Sequence, residues 1–139
     1  MKKPLIAYIL FKAFFTVNIS KQVAQHSKLY LNLMKKYAFN NSRLVQNNAE
    51  LETLLNIERM FLEDNKGEDY TKFLPTILFN VTKEGLLSEE FLLKWFKGEI
   101  EEIDKNFFFN ANRDAEFKKA VQPYVESLED SEDDEEDHS

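Results

Sequence analysis

No cysteine occurs in this 139-residue chain, which excludes disulfides and thiolate metal sites and suits a reducing, cytoplasmic compartment. Three glycines cannot build a phosphate-cradling loop or a dinucleotide fingerprint. With only three prolines beside them, they leave too few tight turns for a sandwich or barrel of many short strands. Of the two histidines, His26 lies near an apolar stripe and His138 follows a run of acids, so neither is placed as a general base or zinc ligand. The apolar run Leu5-Ile-Ala-Tyr-Ile-Leu-Phe11 is broken by Lys12 and too short to span a bilayer, and no small-residue cleavage site follows it. These absences leave no expected catalytic centre, cofactor, metal or membrane anchor.

A fourth absence concerns charge. Residues 1–49 carry eight Lys and Arg and no Asp or Glu, whereas residues 50–139 carry ten Lys and Arg against twenty-five Asp and Glu. One part therefore attracts what the other repels. The acidic part points to cationic protein partners, and the basic part leaves an RNA contact as an alternative.

What is present is apolar residue at helical spacing. With 43% hydrophobic residues and thirteen Phe, the chain can bury one core. Met1–Val17 reads as a buried helix and Lys21 to about Phe39 as a second, with Ser20 as its N-cap and Val23, Tyr30, Leu33/Met34 and Tyr37 on its stripe. Residues 43–64 form the next helical stretch, which Asn47-Asn48 divides. Asp64-Asn-Lys-Gly-Glu-Asp69 is a loop without the ligand spacing of a calcium site. Tyr70 to Val81 is helical with Pro75 in its first turn, and Gly85 stops it. Ser88 caps a helix that Gly98 ends. The last helix runs from about Arg113 to Leu128, with Pro123 predicting a kink or fresh start. From Glu129 to Asp137 eight of nine residues are acidic, which predicts a disordered, solvated tail. The pattern amounts to an all-α chain of six to eight amphipathic helices: one domain over 1–128 and an acidic tail over 129–139.

Leu86 to Asp104 organises this chain. It holds the only tryptophan, Trp95, beside Phe96, and brackets both with Glu89, Glu90, Glu99, Glu101, Glu102 and Asp104. Helical spacing of Phe91/Leu92 and Trp95/Phe96 makes core packing the ordinary role of the aromatics. The acids are the better candidates for direct contact with a cationic partner.

Leu74-Pro-Thr-Ile-Leu-Phe-Asn-Val81, followed by Leu86-Leu-Ser-Glu-Glu-Phe-Leu-Leu-Lys-Trp95, resembles the paired aromatic/acidic boxes of a translation-initiation module. That module closes eukaryotic initiation factor five and the epsilon subunit of the exchange factor, initiation factor two B. Gln122-Pro-Tyr-Val-Glu-Ser-Leu-Glu-Asp130, running into acids, is similar to the family's end, and Lys3–Phe11, His26–Leu31 and Asn40-Asn41 look more like factor five. The resemblance implies stacked antiparallel helix pairs of the HEAT type. It also implies a monomeric adaptor that holds lysine-rich segments of the beta subunit of initiation factor two and contacts other pre-initiation factors. The partner surface so implied comprises the acids and aromatics above together with Tyr124, Glu126, Glu129 and Asp130. Nucleotide exchange on factor two is the rival role. Nothing matches the catalytic arginine and zinc ribbon of factor five's separate N-terminal domain, so GTPase activation is not implied. Three departures stand out: Val81-Thr-Lys-Glu-Gly85 dilutes the first acidic box, Ser127 replaces a second tryptophan, and the family module begins earlier, which predicts missing leading helices.

Overall fold

In a computed structural model, the backbone is described over residues 3–38, 45–65, 67–101 and 103–137, and the side chains over 5–37, 49–65, 67–101 and 103–130. Six α-helices account for most of it: α1 (Lys3–Phe14), α2 (Ile19–Leu33), α3 (Val45–Arg59), α4 (Leu74–Lys83), α5 (Glu89–Phe96) and α6 (Ala111–Asp137). A π turn extends α2 through Met34–Ala38 and another extends α3 through Met60–Asp64. No strand occurs among the described residues, and no helix there is long and apolar enough to cross a membrane.

Each helix exists because one stripe of it is apolar. On α2, Ile19, Val23, Ser27 and Tyr30 are buried and Met34 continues the stripe. On α4 the buried set is Leu74, Ile77, Leu78 and Val81. On α6 it is Phe117, Val121 and Val125. These sets merge into one core in which Tyr30 meets the rings of Phe11, Phe14 and Phe15 at 5.2–6.3 Å. α1 packs on α2 and α5 on α6, while α1 also packs on α3, α2 on α4 and α4 on α6. α1 with α2 and α5 with α6 thus pair, alternate helices stack, and α3 also packs on α6, in the manner of a helical-repeat solenoid.

Several boundaries differ from the sequence expectation. α2 starts at Ile19, so Ser20 lies inside it, and Asn18 at the N-cap position makes no side-chain cap bond. Thr16 and Gln22 close that corner instead: the Thr16 amide donates to Gln22 Oε1 at 2.8 Å and Gln22 Nε2 donates to Thr16 Oγ1 at 3.1 Å. Tyr37 is exposed rather than on the buried stripe, because the π turn adds a residue and rotates it outward. Asn47-Asn48 does not divide α3. α6 continues through Pro123, where burial of Val121 and Val125 holds the turns on either side. Nor does α6 end at Leu128: its backbone runs on as helix to Asp137. No Gly or Pro follows Leu128 to stop it, and each further residue adds a backbone hydrogen bond. His26 is half-buried with its ring 5.6 Å from that of Phe14, a packing role.

Candidate functional site

α5 is positioned by a cap that comes from two places in the chain. Ser88 is extended, and its Oγ accepts from the Phe91 amide at 3.1 Å. In a local capping box, a Glu three residues on would accept the Ser amide. Phe91 occupies that position here, and the Ser88 amide donates at 2.8 Å to Glu50 Oε1 on α3. Burial pushes the Glu50 carboxyl above its usual range, opposed by its hydrogen bonds to Ser88. The α5 start is thereby pinned to α3, and Glu89 and Glu90 occupy its first turn in solvent, where they complement the helix dipole.

The inner face of α5 buries Phe91, Leu92, Leu93 and Trp95. Trp95 is 0% exposed, and its Nε1–H donates to Asp114 Oδ1 at 2.8 Å. Lys118 Nζ lies 5.5 Å from the Trp95 ring and 3.5 Å from Asp114 Oδ2, closing the site from outside. Trp95 therefore offers no ring surface to solvent, and its indole donor is taken. Phe96 is half-buried, edge-on to Trp95 at 6.4 Å.

Around this anchor lies a second group of polar residues. Glu58 is fully buried, with Oε1 3.9 Å from Arg113 Nε. Burial first and neighbouring Asp114 second hold its carboxyl well above the usual range, against the pull of Arg113. Arg113 also donates to Glu63 and to the Phe108 carbonyl. Glu52, buried, accepts from Asn106 Nδ2, and burial raises its carboxyl too. These contacts fasten the segment between α5 and α6 to α3.

Gly98 takes a left-handed φ of 75° and releases that segment from α5. Ile100 and Ile103 peg it to the core, so Glu99, Glu101 and Asp104 face solvent. Glu102 lies outside the described residues. On α6, Glu126 is exposed and accepts from Gln122 Nε2 at 2.7 Å. Glu129 meets Lys97 at 3.5 Å, which ties α6 to the end of α5, and Asp130 is exposed. Glu90 pairs with Lys94 at 3.3 Å. Among the described residues, Glu89, Glu99, Glu101 and Asp104 form no ion pair and present uncompensated charge.

An open groove of about 500 Å³ brings two of the expected residues together, Glu89 and Tyr124, with Phe79, Thr82, Lys83 and Leu87 completing its walls. Tyr124 is half-buried and meets Phe79 edge-on at 6.2 Å, and burial raises its hydroxyl above the ordinary range. Phe79 is half exposed and was not among the residues expected from sequence. Its signal was there: it sits one position off the Leu74, Ile77, Leu78, Val81 stripe, where a large aromatic has no core to enter. An aromatic wall beside an unpaired carboxylate can hold the stem and the ammonium of a lysine at once. No group of three or more His, Cys, Asp or Glu among the described residues is arranged to hold a metal ion.

The family model W2, described as eIF4-gamma/eIF5/eIF2-epsilon, matches residues 49–138, more than half of the chain and all twelve candidate positions. In fold the chain is similar to a solved structure described as the C-terminal domain of translation initiation factor 5 at low pH. The two share 22% identity and a TM-score of 0.70, with 97% of this chain and 73% of that chain covered. No curated protein sequence matches it.

Proposed function

Since the chain belongs to the W2 family of translation initiation factors, we propose that it is an adaptor that captures lysine-rich segments of the initiation factor two beta subunit. The observation that supports this most is the set of exposed acids without ion pairs, Glu89, Glu99, Glu101 and Asp104, gathered at the α5–α6 end. Long-range attraction steers a lysine-rich segment to this end, and short ion pairs then hold it, with Phe79 and Tyr124 receiving apolar lysine stems. Each exposed pair contributes only about 0–1 kcal/mol, so several act together. Other pre-initiation factors bearing basic segments are partners of the same kind.

Titration of a lysine-rich peptide against the domain tests this reading. Affinity is micromolar or weaker at low salt and falls steeply as salt rises, because the screening length shrinks from about 10 Å at 0.1 M to about 3 Å at 1 M. Reversing Glu99, Glu101 and Glu102 to Lys abolishes binding; unchanged affinity with an intact circular dichroism spectrum rejects the surface. GDP release from initiation factor two separates the adaptor from an exchange module, since acceleration by this domain supports exchange.

A further inference from the structure

The opposite end of the stack carries a second charged surface, and nothing in the adaptor reading uses it. α2 turns Ile19, Val23, Ser27 and Tyr30 to the core, which leaves Lys21, Gln25, Lys28, Asn32, Lys35 and Lys36 exposed on its outer face. Lys21 and Lys28 are spaced by seven residues, two helical turns, and lie in one row about 10 Å long, which Lys35, exposed in the π turn, extends. Gln25 and Asn32 fall between them on the same face. No Asp or Glu occurs anywhere in residues 1–49, and among the described residues none of these four lysines forms an ion pair. At the end of the row, where the π turn swings it outward, stands Tyr37, 53% exposed with Lys36 Nζ 5.2 Å from its ring centre.

We propose that this face of α2 binds single-stranded RNA, with the lysine row on the phosphates and Tyr37 as a stacking platform for a base. Charge selects a polyanion. The other side chains on the row select nucleic acid over an acidic protein segment: Gln25 and Asn32 are amide donors of the kind that contact phosphate and sugar, and Tyr37 offers a π face that any base can use. An acidic peptide would need a cluster of apolar anchor sites as well, and besides Tyr37 the row offers only Leu29 at its margin. α2 packs on α4 and α4 on α6, so the acids of α5 and α6 lie at the other end of the stack from the row. Glu84, whose carbonyl accepts from Ser27 Oγ at 3.3 Å, is an exposed acid beside it.

The test is fluorescence anisotropy of a labelled, unstructured 15-nucleotide RNA with the whole chain, across a salt series. Binding with a log–log salt slope of about −2 is expected for three phosphate contacts on a single strand. The triple substitution Lys21→Glu, Lys28→Glu and Lys35→Glu weakens it at least tenfold, and Tyr37→Ala weakens it about fivefold or more with little change in slope. A circular dichroism spectrum and urea midpoint matching the parent's serve as the folding control for both variants. The proposal is overturned if RNA affinity survives the triple reversal. It is equally overturned if a polyglutamate peptide of matching charge displaces the RNA at equal concentration while Tyr37→Ala changes nothing, because the face then serves acidic protein segments.

Discussion

Glu50 and Glu89 line one groove at the start of α5, but they belong to different populations of acid. Glu50 is 4% exposed, and its carboxyl is committed to the Ser88 amide, whereas Glu89 stands in solvent with no ion-pair partner among the described residues. The division extends through the molecule. Glu50, Glu52 and Asp114 are buried and fasten α5, α6 and the segment between them to one another and to α3, and Glu58 is buried beside Arg113. Glu90, Glu99, Glu101 and Asp104 are exposed and hold nothing of the fold beyond one pair with Lys94. An acidic box is therefore two structures in one composition, an inner set that builds the surface and an outer set that is the surface.

The comparison breaks most visibly at Trp95, the partner of the inner set. Trp95→Ala removes the largest buried side chain and leaves Asp114 without its indole donor. A loss of about 3–5 kcal/mol is expected in urea denaturation. A loss below about 1 kcal/mol would mean that the indole is not the anchor of α5.

Glu50 gives a smaller and more diagnostic effect. Glu50→Ala orphans the Ser88 amide and costs about 1–3 kcal/mol, while Glu50→Gln keeps an acceptor at that place and costs much less. Equal destabilisation by both would point to charge rather than hydrogen bonding as the role of Glu50. Thermal denaturation of the two variants side by side decides it.

The inner set also carries a pH signature. Glu50, Glu52 and Glu58 all hold their protons above the ordinary carboxylate range in the fold, through burial first. Unfolded, they titrate near about pH 4.3. Between that value and their raised ones the fold binds more protons than the unfolded chain. Their contribution is thus fully present below the unfolded value and lost as pH rises through the folded ones. Glu58→Gln accordingly raises the urea midpoint at pH 7 relative to the parent and leaves the midpoint at pH 4 nearly unchanged. An identical shift at both pH values would rule out a proton on Glu58.

Much of this was legible in the sequence. Ser88 caps α5, and Gly85 and Gly98 take the left-handed φ values of 83° and 75° expected of helix stops. Trp95 falls on the buried stripe that its spacing with Phe91 and Leu92 implies. These features are local, and a few residues contain the whole cause. What was not legible depends on partners far away in the chain. Glu50 reads as a surface acid until Ser88, thirty-eight residues on, arrives to donate to it. Asp114 reads the same way until Trp95 reaches it from nineteen residues before. Helical periodicity tells which face is apolar, but it cannot tell which polar residue on that face will find a donor. The family model begins at residue 49, so the basic α1–α2 end lies outside it.

The outer set should behave in the opposite way to Trp95. Glu89→Lys with Glu90→Lys loses two favourable charges at the α5 N-terminus, each worth about 0.3–1 kcal/mol. It also removes the pair of Glu90 with Lys94, worth about 0.2–0.5 kcal/mol. The fold tolerates this, because Ser88 and Glu50 still cap the helix and Phe91, Leu92 and Trp95 still anchor it. Expected in urea denaturation is a shift of about 1–2.5 kcal/mol, below what Trp95→Ala causes. A lysine-rich peptide, by contrast, now meets two added positive charges at the mouth of the groove, and its affinity at low salt falls at least tenfold. Only that crossed outcome, in which the exposed pair moves binding more than stability, separates a surface built for a cationic partner from acids that merely keep a helix soluble.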